Sequence, residues 1–109
     1  MELYGTDLKN IKMPRGDSES ITVNGLSLVA EDTIYFTVKT NTNTKVISFQ
    51  KKITEFVNGS AVIPIEHSDT KDLNFGRYVY DIQLTKADGT VTTVIQPHEF
   101  KIGEEVTYD

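Results

Sequence analysis

The side chains able to do chemistry in this sequence are few and dispersed. His67 and His98 each fall at the end of a strand-like run beside polar residues. Neither has a third ligand at metal spacing, so both read as surface or rim residues. Hydrolytic triads are poorly served: there is no G-x-S-x-G, and Asn58-Gly59-Ser60 reads as a turn opening a strand. Phosphate-cradling and dinucleotide-binding glycine loops are absent, as is H-E-x-x-H. With no cysteine, disulfides, thiolate metal sites and a Cys nucleophile are excluded. Asp32, Asp69, Asp72, Asp81 and Asp88 sit at loop edges or strand starts. Calcium needs about six to eight converging oxygens, and without a D-x-D-x-D-G loop these acids read as caps and Asx turns. A small acidic domain also leaves little room for a deep pocket. The expectation is a chain that is not an enzyme and carries no cofactor and no metal.

Arg15-Gly16-Asp17 is the tripeptide that integrins read on adhesion proteins. Here Pro14 precedes it and Ser18 follows it. That context predicts a sharp, exposed turn between two strand segments, with Gly16 at positive φ and Asp17 bonding the backbone just beyond. Integrin recognition needs display on a protruding loop facing an animal cell, and nothing else in the sequence points there.

Asp81 is unusual because acids are depleted in the middle of strands. Either it faces solvent beside a basic cross-strand neighbour, or its face meets a partner. Tyr35, Val79, Val94 and Val62 are candidates for outward positions, and exposed aromatic and aliphatic side chains suit protein contact. The candidate partner surface is therefore Tyr35, Val79, Asp81 and Val94.

The elements that must carry these residues are strands. Ile34, Phe36 and Val38 alternate with Tyr35, Thr37 and Lys39, and Tyr78, Tyr80, Ile82 and Leu84 alternate with Val79, Asp81, Gln83 and Thr85. This period of two marks half-buried strands. Strands are expected near Asn10–Met13, Ser20–Val23, Thr33–Lys39, Lys45–Ile53, Ser60–Ile65, Arg77–Lys86, Thr90–Gln96 and Glu99–Val106. Asp88-Gly89 gives the clearest hairpin signal. Ser68–Leu73 is the one helical candidate, a single turn capped by Ser68. Pro97 is expected at a bend or sheet switch. Short strands at this spacing predict a single domain, an immunoglobulin-like antiparallel β-sandwich of about seven to eight strands. Asp72, Leu73, Gly76, Tyr78 and Tyr80 have the layout of a tyrosine corner. Tyr78 should return its hydroxyl to the preceding loop, and Tyr80 should fill the place of the second antibody-domain cysteine.

The 109 residues carry a formal net charge of −5. That charge disfavours nucleic acid, which needs a basic stripe. The N-terminus lacks the basic and apolar regions of a signal peptide. No run approaches the ~18 apolar residues of a membrane span. The expectation is synthesis in a cytoplasm without general secretion, and no membrane partner.

In order, the sequence reads R-G-D-S-E-S-I-T-V, E-D-T-I-Y-F-T-V-K, D-T-K-D-L-N-F-G-R-Y-V-Y-D-I-Q-L, D-G-T-V-T-T-V-I-Q-P-H-E-F-K-I and E-E-V-T. Together these resemble small immunoglobulin-like proteins encoded in prophages of Gram-positive bacteria, similar to the N-terminal domain of the siphophage baseplate upper protein. The resemblance spans about Leu8 to Thr107. It implies a virion component whose partners are other tail and baseplate proteins, in symmetric assemblies that allow self-association. It also implies that the Arg15–Asp17 turn is a structural corner. The alternative class is a carbohydrate- or cell-surface-binding module acting through its loops. The lack of Trp weakens that case, although Tyr4, Tyr35 and Tyr108 offer aromatic faces.

Overall fold

The structure, a computed structural model, describes residues 2–4 and 10–103, with Tyr4 and Gln96 described by their backbone alone. Among the described residues, eight strands and one short helix follow in chain order. They are β1 (Glu2–Tyr4), β2 (Ile11–Pro14), β3 (Glu19–Asn24), β4 (Thr33–Lys39), β5 (Phe49–Ile53), β6 (Ala61–Ile65), α1 (His67–Thr70), β7 (Gly76–Thr85) and β8 (Val91–Gly103). They form two packed sheets, β1-β3-β6 and β2-β8-β7-β4-β5. The chain is an all-β, immunoglobulin-like sandwich.

Alternation builds the core. Ile34, Phe36 and Val38 of β4 and Tyr78, Tyr80, Ile82 and Leu84 of β7 point inward, facing Ile21, Val23, Ala61, Ile63 and Ile65 of the smaller sheet. Rings replace the missing disulfide and Trp. Phe36 stacks on Tyr80 at 5.4 Å between centroids, and Phe100 meets both edge-on at 6.2 and 6.5 Å. Such pairs add about 0.5–1.5 kcal/mol each beyond burial. Burial pushes the Tyr80 hydroxyl up to about 12.

Several local expectations are corrected. β1 lies outside the expected strands and pairs β3 in parallel, as β2 pairs β8. The strand expected from Lys45 starts at Phe49. Thr44 diverts the chain by accepting from the Val46 amide at 3.1 Å, a local bond that competes with the ladder. The helix starts at His67 rather than Ser68, because the Glu66 amide donates back to Asp69 Oδ2 at 2.7 Å. Pro97 does not switch sheets. Both halves of the final run stay paired to β7 as one strand, and register shifts opposite Tyr80–Gln83 absorb the irregularity. The stretch expected to continue to Val106 lies outside the described residues beyond Gly103. The Asp88-Gly89 turn closes as the pattern required, with Gly89 at φ 90° and the Lys86 amide donating to the Thr90 carbonyl at 2.9 Å.

Candidate functional site

The Arg15–Asp17 turn links β2 to β3 and is clamped by the chain around α1. Gly16 takes φ 82°, a left-handed conformation that a Cβ disfavours. Its amide donates to Thr70 Oγ1 at 2.8 Å, and its carbonyl lies 2.6 Å from His67 Nδ1. The Arg15 guanidinium sits 4.2 Å above the Phe75 ring and donates to the Leu73 carbonyl at 3.4 Å. Tyr78 holds that same loop, its hydroxyl donating to the Asn74 carbonyl at 2.9 Å. Lys51 of β5 points into the gap between the sheets and pairs with Asp69 at 2.7 Å. The tripeptide is thus a tied corner, with its arginine spent on internal contacts.

The outer face of the five-stranded sheet is the opposite case. Tyr35, Thr37 and Lys39 of β4 lie beside Gln83, Asp81 and Val79 of β7 in register, and Gln50 and Lys52 of β5 extend the same rows. Tyr35, Val79 and Asp81 therefore share one face. Val94 does not. It falls in the irregular stretch between Ile95, opposite Ile82, and Thr93, opposite Gln83, and packs against the core. Val62 is exposed on β6 of the other sheet. The side chain of Tyr4 and the whole of Tyr108 lie outside the description.

A trough of about 240 Å³ opens on this face, floored by Thr37, Val79 and Asp81 and walled by Asn41, Ile47 and Pro97. Partial burial raises the Asp81 carboxyl above the usual range, and the Lys39 charge partly offsets the rise. Thr37 Oγ1 already accepts from Gln50 Nε2 at 2.9 Å. Among the described residues no three His, Asp or Glu side chains converge on a metal-sized site. His98 lies opposite Tyr80, and Asp88 accepts from the Thr90 amide at 2.9 Å; the Thr90 hydroxyl, and then that amide, hold its carboxyl below the usual range. Asp32 accepts from the Val29 amide at 3.1 Å. These acids are turn-formers.

Register also gathers residues that periodicity alone could not align. Lys12 lies opposite Lys101, and Lys101 lies opposite Arg77, so three cations form one row across β2, β8 and β7. Each is an ordinary outward position in its own strand, and only the strand pairing shows the row.

No family model matches this chain, and no curated protein is significantly similar to it.

Proposed function

We propose that this chain is a non-enzymatic structural module of a phage or prophage tail, acting in assembly of the baseplate or receptor-binding apparatus. The observation that carries the interaction reading is the outer face of the five-stranded sheet. There Tyr35, Val79 and a partly desolvated Asp81 lie side by side. The sheet edges are poor alternatives. Pro14 ends β2, Pro64 takes a backbone donor out of β6, and β5 turns Lys51 inward. Natural sheets use such devices to discourage edge-to-edge pairing. Contact is thereby directed to a face. The tail setting rests on the ordered likeness to the baseplate upper protein's N-terminal domain.

The test is to purify tail particles from the encoding bacterium and label them with antibody raised against this chain. Labelling at the tail tip supports the reading. A chain absent from particles overturns it.

The trough favours a second reading, a carbohydrate- or cell-surface-binding module. Thr37, Asn41, Gln50, Asp81 and Gln83 would offer hydrogen bonds to a polyol there. A strictly monomeric chain whose melting temperature rises with added sugar would favour this reading over the first.

A further inference from the structure

The row Lys12–Lys101–Arg77 opposes the chain's overall charge. On a chain of formal net charge −5, the strands of the five-stranded sheet turn Lys12, Lys39, Lys52, Arg77 and Lys101 outward, against Asp81 and Glu99. Adjacent strands lie about 4.8 Å apart, and like charges directly opposite destabilise a sheet. One acid relieves the row: Glu99 Oε1 lies 3.3 Å from Arg77 Nε. Lys12 and Lys101 have no ion-pair partner among the described residues.

Both lysines also line an open groove of about 660 Å³, together with Pro14, Phe75, Gly76 and Gly103. Phe75 is 40% exposed, and Arg15 stacked on its ring fixes its orientation. No side chain from either glycine fills the groove, and a Cβ on Gly76 would meet nothing within 4 Å. The site thus combines a preset aromatic wall with two cations that no described residue pairs.

We propose that this end of the face docks an acidic segment of a partner protein. Carboxylates of the segment meet Lys12 and Lys101, and an apolar side chain enters the groove beside Phe75. A short acidic polypeptide fits better than a nucleic acid: a base could stack on Phe75, but a formal net charge of −5 opposes a continuous phosphodiester backbone. Carboxylate chemistry already has a precedent in the row, in Glu99 on Arg77. The inference goes beyond the tail reading and stands or falls separately, since such a dock serves a virion part or a free module alike.

The test is fluorescence anisotropy of the intact chain with a labelled peptide of alternating glutamate and leucine at low ionic strength. The peptide should bind, weaken as salt rises, and lose affinity when its glutamates become glutamines. Lys101→Glu should weaken binding by about tenfold or more. The same variant should melt at a higher temperature, because it breaks the like-charge row, and that separates lost binding from lost folding. Lys86→Glu makes the same change in net charge at the distant hairpin and should bind as the parent does. The proposal is overturned by any of four results. They are no binding, equal loss in Lys86→Glu, equal competition by a single-stranded oligonucleotide, or a self-association in light scattering that Lys101→Glu abolishes.

Discussion

The Arg15–Asp17 corner and the Tyr35–Asp81 face differ in how their polar groups are used. At the corner, both backbone groups of Gly16 and the guanidinium of Arg15 are engaged by residues more than fifty positions away in sequence. On the face, Tyr35 lies 6.0 Å from the Lys52 ammonium, and Asp81 stays partly desolvated with Lys39 as its offsetting charge. The first region spends its side chains on holding two layers together. The second leaves them available. A recognition tripeptide is therefore judged by what its side chains already hold, and a plain stretch of strand can be the better candidate surface.

Substitutions should separate the two regions by size of effect. Thr70 is fully buried and accepts from the Gly16 amide. Thr70→Val should cost about 1–3 kcal/mol by stranding that donor, measured by chemical denaturation. A neutral result would break the claim that the corner is tied. Tyr78→Phe removes the hydroxyl that anchors the Asn74 loop and should cost about 1 kcal/mol. Tyr35→Ser and Val79→Thr on the face should each stay within about 0.5 kcal/mol, as surface changes usually do. A larger loss would show that the face is structural.

The smallest effect has a definite sign. Burial raises the folded-state pKa of Asp81, so the fold prefers its protonated form. Its stability contribution is fully present below the unfolded carboxylate pKa and is lost as pH rises through the raised folded value. Asp81→Asn should therefore melt higher than the parent at neutral pH, and the gap should close in acid. Thermal melts at the two pH values check both halves.

Much of the fold was legible because alternation is local. The inward and outward sets of β4 and β7 follow from period two, and the Tyr78 hydroxyl finds the loop that the tyrosine-corner spacing indicates. What was not legible depends on register. Val94 reads as outward until the shift opposite β7 turns it toward the core. The short β1 carries no periodic signal, and its parallel pairing to β3 is a choice of tertiary structure. The engagement of Arg15 by Leu73 and Phe75, and the meeting of Lys12, Lys101 and Arg77, join segments that no local pattern connects.

The most direct test of the proposal that this chain works through one sheet face is hydroxyl-radical footprinting, comparing the free chain with the chain in the tail particles that the proposal expects to hold it. Protection should concentrate on the outer face of the five-stranded sheet, at Tyr35 and Val79, with Val62 on the opposite sheet unchanged. Protection of Val62 with Tyr35 and Val79 left fully reactive would contradict it.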